Sequence, residues 1–206
     1  VIKVKRPGIE KVVAKDLKVL KKILPLALRF VDPNLRYSAK AMLSQFIETI
    51  HEEMDYTIES KNLKKIKNDM KNQDNVIVPS VFDEYSSKNV LTMEYLPGIK
   101  VTNVDALEKK GIDREKLVID VHKVFFTMLL KHSIFHADPH PGNISVTDDG
   151  KLILYDYGMV GRINNETRFK LIRLYLALVE KNPSRVVNAM NELGMLTPGY
   201  NRMVIE

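Results

Sequence analysis

The sequence predicts an α+β fold in two lobes around a cleft, on three observations. Short strand-like segments lie in its first part, helical periodicity dominates from Val104 onward, and a Pro-Gly break at Leu96-Pro97-Gly98 separates the two. The lobes are therefore expected at residues 1–96 and 97–206, with the hinge near Glu94 to Gly98. A chain of 206 residues is long enough to bury one substantial core. Its 45% hydrophobic and 28% charged residues are ordinary for a globular protein. The absence of cysteine excludes disulfides, thiolate metal sites and a cysteine nucleophile. No apolar run approaches the roughly 18 residues of a membrane-spanning helix, and no signal-peptide pattern opens the chain. The expected location is intracellular, in the cytoplasm or at a membrane surface. A net charge of +6 favours an anionic partner, either nucleotide phosphates or acidic lipid. Nucleic acid is not expected, because the lysines are not interleaved with aromatic residues and no nucleic-acid motif is present.

Val1-Ile2-Lys3-Val4-Lys5 reads as a strand already under way, and Arg6-Pro7-Gly8 as a turn. Ile9 to Phe30 has helical spacing through Val13, Leu17, Leu20, Leu24 and Leu28, with Lys11, Lys15, Lys18, Lys21 and Lys22 on complementary positions and a kink expected at Pro25. Such a basic amphipathic helix fits an ordinary solvated surface or a contact with an anionic membrane. After a turn at Asp32-Pro33-Asn34, one long helix is expected from about Leu35 to Met70, with Met42, Phe46, Ile50, Ile58 and Leu63 in the core. Strands near Val76–Val81 and Asn89–Glu94 suit an antiparallel pair. Arg114 to His132 is strongly helical through Leu117, Val121, Val124, Phe125, Met128 and Leu129. A loop from Phe135 to Asn143 leads into a hairpin, Ile144–Val146 and Leu152–Tyr155, around Asp148-Asp149-Gly150. Helices close the chain at Arg168–Glu180 and Ser184–Leu193.

The chemistry sits in that loop and just beyond the hairpin. His136-Ala137-Asp138-Pro139-His140-Pro141-Gly142-Asn143 is followed by Asp156-Tyr157-Gly158. Phosphoryl transfer asks a protein mainly for position and charge neutralisation. One aspartate can orient or deprotonate an acceptor hydroxyl, while an amide oxygen and a second aspartate can hold Mg²⁺ against phosphates. Asp-x4-Asn followed by Asp-aromatic-Gly has the spacing of a kinase catalytic loop and metal-binding loop. It makes Asp138 the candidate base, with Asn143 and Asp156 the candidate metal ligands. His136-x3-His140 also admits a zinc reading, against which the two prolines and the missing third nitrogen ligand argue.

The segment His136 to Asn143 is similar to the catalytic-loop signature of the UbiB/AarF family of atypical kinases, and the resemblance extends over essentially the whole chain. It implies a bilobal protein-kinase-like fold that binds ATP and Mg²⁺. Val1-Ile2-Lys3-Val4-Lys5 resembles the strand carrying the phosphate-binding lysine and places that role on Lys3, although Lys3 and Lys5 lie on the same side of a strand. Glu53-Met54-Asp55-Tyr56, with Glu59 and Asn62, resembles the helix that supplies the lysine's partner. Glu59 is then the ion-pair residue, Glu53 and Asp55 are family-specific acids, and Asp55, four positions before Glu59, is expected to share its helix face. Thr92 to Gly98 resembles the hinge, whose Glu94 and Leu96 backbone would meet adenine. The resemblance also implies a fragment whose N-terminal part is missing, because a lysine-x-Gly-Gln helix and an alanine-rich phosphate loop should precede Val1. It further implies work in lipid or isoprenoid-quinone metabolism at a membrane, beside lipid-metabolism enzymes. No Ala-Pro-Glu motif follows Gly158, which favours a small-molecule or lipid acceptor, or ATPase activity, over protein substrates. Two alternatives stay open: a phosphotransferase of the aminoglycoside or choline type, and a nucleotide-binding scaffold without transferase activity.

Overall fold

The structure, a computed structural model, describes residues 1–30 and 33–196, with side chains in the second helix described from Met42 onward. Strand β1 (Ile2–Val4) leads through Gly8 into α1 (Ile9–Ala27) and a short 3-10 turn over Leu28–Phe30. Helix α1 runs two residues beyond Pro25, whose missing N–H removes the bond to the Lys21 carbonyl, and closes with the Leu28 N–H on the Leu24 carbonyl. Among the described side chains of this stretch, only Leu17 and Leu28 are buried. The first residues of the expected turn at Asp32 lie outside the described residues, and α2 (Pro33–Glu53) begins at the proline.

The single long helix expected up to Met70 is two helices. Helix α2 stops at Glu53, and α3 (Tyr56–Asp69) restarts after Asp55. Asp55 is the N-cap: its Oδ1 accepts from the Thr57 N–H at 3.0 Å and from the Thr57 hydroxyl at 2.7 Å, satisfying a helix-start donor. The break corrects the expected core as well, since Met42 is 72% and Phe46 51% exposed, whereas Leu63 is fully buried.

Strands β2 (Val76–Ile77) and β3 (Val90–Thr92) do not pair with each other. β3 pairs antiparallel with β1, Lys3 opposite Leu91, and β2 runs parallel to a later strand. The expected antiparallel contact survives only as a bridge between Val81 and Met93. After β4 (Ile99–Lys100) come α4 (Val104–Lys109), α5 (Arg114–Lys131) and β5 (Ile134–His136). The predicted hairpin forms as β6 (Ile144–Val146) and β7 (Leu152–Leu154) and joins the sheet β2-β7-β6-β4. This sheet draws strands from both sides of Leu96-Pro97. β8 (Val160–Arg162) returns to β5, and α6 (Asn165–Val179) and α7 (Pro183–Glu192) complete the described chain. Among the described residues the first part holds three short strands beside long helices and the second joins five short strands to four helices, so strands are not concentrated in the first part as expected.

The core lies where α3, β3, the β6–β7 hairpin and α5 meet. Leu63 and Ile66 from α3 pack with Leu91, Val124, Met128, Val146, Leu152 and Leu154. All six residues of the hairpin strands are buried, so this element must be covered on both faces. The segment His136 to Asn143 enters it and Asp156-Tyr157-Gly158 leaves it at the same open end, where Ile144 pairs with Leu154.

Candidate active site

Helix α3 buries Glu59, Asn62, Leu63 and Ile66, residues at helical spacing that form one face. Two of the four are polar, and both bind the segment after the hairpin. The Tyr157 N–H donates to Glu59 Oε1 at 3.1 Å, and Asn62 Nδ2 donates to the Tyr157 carbonyl at 3.2 Å. Arg162 in turn donates to Asn62 Oδ1 at 3.5 Å. The Tyr157 side chain is fully buried, and its hydroxyl finds the Leu154 carbonyl at 2.8 Å. Burial, together with the Glu59 charge, pushes its pKa well above the usual tyrosine value.

Lys3 reaches this face from β1. Its Nζ lies 2.5 Å from Glu59 Oε1 and 3.3 Å from Asp156 Oδ1. Burial works against the ammonium charge, but the Glu59 bond and the charges of Glu59 and Asp156 outweigh it, so the Lys3 pKa is raised. Lys5, on the same side of the strand, pairs instead with Glu10 at 3.0 Å.

Asp156 takes φ +59°, a conformation that is sparse for non-glycine residues but that aspartate tolerates better than most. Its Oδ1 accepts from the Gly158 N–H at 3.2 Å, and about half of its side chain remains open to solvent. Gly158 leaves room for Glu53, because a Cβ there would come within 2.9 Å of both Glu53 carboxylate oxygens and push that side chain aside. Glu53 therefore hangs from the end of α2 over the Asp156 loop. Burial, then the charges of Asp156 and Glu59, raise its pKa; Lys3 works the other way and Asp138 adds to the rise.

The other side of the site is the loop between β5 and β6. His136 is 2% exposed; its Nδ1 accepts from the Asp138 N–H at 3.3 Å, which leaves Nε2 to donate to the Tyr155 carbonyl at 3.0 Å. Edge-on contacts with Phe125 and Tyr157 hold the ring. His140 Nδ1 accepts from the Gly142 N–H at 3.0 Å. Both histidines thus brace the loop. Asn143 Nδ2 donates to Asp138 Oδ2 at 2.7 Å, which orients the amide and leaves its oxygen as the atom that could hold a metal.

In the segment between β3 and β4, where the hinge is expected, the Glu94 side chain accepts from the Ser80 N–H and hydroxyl, both at 2.9 Å. Those two bonds, the backbone one first, hold its carboxyl below the usual glutamate value. The Glu94 carbonyl and the Leu96 N–H make no hydrogen bond among the described residues. Gly98 lets the segment lie against the hairpin, since a Cβ there would stand 2.8 Å from Ile153 Cδ1.

Of the residues the sequence singled out, Lys3, Glu59, Asp156 and Glu53 converge, and Asp138 and Asn143 form a bonded pair on the adjoining loop. Asp55 does not join them: as a helix cap it is turned to Thr57, with Lys88 and Lys5 its nearest cationic influences. Asp55 therefore does not share a helix face with Glu59. Sequence reasoning missed His136 and Tyr155 as site-building residues; their position inside the motif was visible, but their backbone partners were not.

A lysine–glutamate pair on a strand and helix, facing an aspartate loop and an Asp–Asn loop across a hairpin, defines a protein of the protein-kinase-like class. The chain belongs to the ABC1 atypical kinase-like domain family, which matches residues 1–190. It is 39% identical over 203 residues to the chloroplastic protein Activity of bc1 Complex Kinase 8 of Arabidopsis thaliana, covering 96% of this chain and 26% of the relative. It is 33% identical over 202 residues to the probable protein kinase UbiB of Marinobacter nauticus, covering 96% of this chain and 37% of that one. The chain thus spans between about a quarter and two fifths of these relatives' length. Its fold resembles that of the Rv3197–erythromycin complex of Mycobacterium tuberculosis, with TM-score 0.75 at 20% identity over 97% of this chain and 50% of the other.

Proposed function

We propose that this chain carries the nucleotide site of an atypical kinase or ATPase that uses Mg-ATP. The observation that carries the reading is the convergence of Lys3, Glu59 and Asp156 within 3.3 Å of one ammonium group, from three elements distant in sequence. Glu59 fixes Lys3, which is then placed to neutralise phosphate oxygens. The Asn143 amide oxygen and the half-exposed Asp156 carboxylate are hard oxygen donors suited to Mg²⁺. Among the described residues no three His, Asp or Glu side chains make a closed metal cage. An open pair of donors fits an ion whose remaining positions are filled by phosphate and water oxygens. Bound there, Mg²⁺ would screen charge on the transferring phosphoryl group. Asp138, held by Asn143, is placed to orient an acceptor hydroxyl and take its proton. The free Glu94 carbonyl and Leu96 N–H offer the acceptor and donor that an adenine edge requires.

Calorimetry with Mg-ATP tests this reading. Asp156→Asn should weaken Mg-dependent binding by at least about a hundredfold while leaving the fold intact, because a charged ligand becomes neutral. Equal affinity in the two proteins would remove the metal role and favour a scaffold.

The family resemblance supports lipid or isoprenoid-quinone metabolism as the setting, with lipid-metabolism enzymes as neighbours. A separate observation supports an anionic membrane surface as a partner. On α1, Val12, Val19, Ile23 and Leu26 are each more than half exposed, flanked by Lys15 and Lys22. No helix among the described residues is long and apolar enough to cross a membrane.

A further inference from the structure

Tyr155 stands immediately before Asp156, and its side chain turns away from the metal loop toward the hinge. Its hydroxyl donates to the Leu96 carbonyl at 2.8 Å. Leu96 precedes Pro97, which has no N–H, so the Leu96 carbonyl is the only hydrogen-bonding atom of the peptide that joins them. Among the described residues, the Tyr155 bond is also the only hydrogen bond made by residues 95–98. Upstream, the Glu94 N–H is held by the Ser80 carbonyl at 2.8 Å; downstream, Ile99 enters β4 opposite Val146. Between these anchors the hinge is tied only through Tyr155.

The backbone of Tyr155 is itself fixed at both polar atoms. Its N–H donates to the Asn143 carbonyl at 2.8 Å, and its carbonyl accepts from His136 Nε2 at 3.0 Å. The residue therefore links three parts of the site: the catalytic loop through Asn143 and His136, the metal loop through the next peptide, and the hinge through its hydroxyl. We propose that Tyr155 is a positioning residue for the nucleotide base, its hydroxyl holding the hinge backbone in register with the Asp156 loop. The proposal rests on the Mg-ATP reading above and adds to it the group that couples base recognition to the metal loop. The Tyr155 hydroxyl is spent on the Leu96 carbonyl. Its contribution should appear only with ligands that carry a base.

The test compares Mg-ATP with Mg-tripolyphosphate, which keeps the phosphates and lacks the nucleoside, on the wild-type chain and on Tyr155→Phe. The variant keeps the ring and removes one neutral hydrogen bond, so Mg-ATP affinity should fall roughly three- to tenfold. Mg-tripolyphosphate affinity should not change, and the thermal midpoint serves as the control for folding. Unchanged affinity for both ligands would overturn the role of Tyr155 while leaving the nucleotide site standing. An equal fall for both would show that the residue acts through the metal loop or general stability, and would also overturn it. If the wild-type chain binds neither ligand, or Asp156→Asn binds both as well as wild type, the underlying Mg-ATP reading fails and the proposal fails with it.

Discussion

The β6–β7 hairpin and the helices α1 and α2 are similarly rich in apolar residues, yet they meet opposite fates. Every residue of the two hairpin strands is buried. On the helices, Val12, Val19, Ile23 and Leu26 of α1 and Met42 and Phe46 of α2 are all more than half exposed. Hydrophobic spacing tells which residues share a face; it does not tell which face another element covers. The hairpin is covered because it forms the middle of the sheet β2-β7-β6-β4 and α5 packs against β7. Stability and chemistry are therefore concentrated in one region, while α1 and α2 present surface.

The sharpest way to break this comparison is to truncate one apolar side chain in each region. Leu154→Ala removes a fully buried side chain and should cost about 2–5 kcal/mol in urea unfolding. Phe46→Ala removes a larger side chain from α2 and should fall within about 0.5 kcal/mol of wild type. A large loss at Phe46 would mean that α2 is covered in solution, and the contrast would dissolve. The junction between the regions gives a smaller effect. Asp55→Ala deletes the α3 cap and should cost about 1 kcal/mol, with Mg-ATP affinity essentially retained because Asp55 does not face Lys3. A large affinity loss with little change in stability would instead return Asp55 to the site.

The same contrast governs what could be read before the structure. The hairpin, its turn, α5 and the Asp138–Asn143–Asp156 loops were legible because their signals are local: strand, turn and motif residues lie within a few positions of one another. Lys3 against Lys5 was not decidable by period, since both face one way. It was decided by which acid each finds, Glu59 on α3 for Lys3 and Glu10 for Lys5. The α2–α3 break was missed although its signal was present, because Asp55 is a favoured N-cap residue and Thr57 lies within reach of it. The strand pairings failed for a different reason. β2 and β3 are near neighbours in sequence, but β1 and β7 compete for their edges, and such partners are distant in the chain. Tyr155 carried no legible role, since its partner is a backbone carbonyl 59 residues away.

The smallest expected effect lies where the two regions touch, at Glu53, the last residue of α2, pressed over Gly158 of the Asp156 loop. Its folded-state pKa is raised above the ordinary 4.5, by burial first and then by Asp156 and Glu59. The folded protein thus holds this proton more tightly than the unfolded chain, so folding is favoured while Glu53 is protonated. That contribution is fully present below the ordinary value and is lost as pH rises through the raised one; above it, the ionised carboxylate is a net cost. Glu53→Gln should accordingly flatten the decline of stability between pH 4.5 and neutrality in metal-free buffer. It should raise the urea midpoint slightly at pH 7, by an amount kept small because solvent still reaches the side chain. A lower midpoint at pH 7 would mean that the charged carboxylate is held by a favourable contact, and α2 would then belong energetically to the site it overhangs.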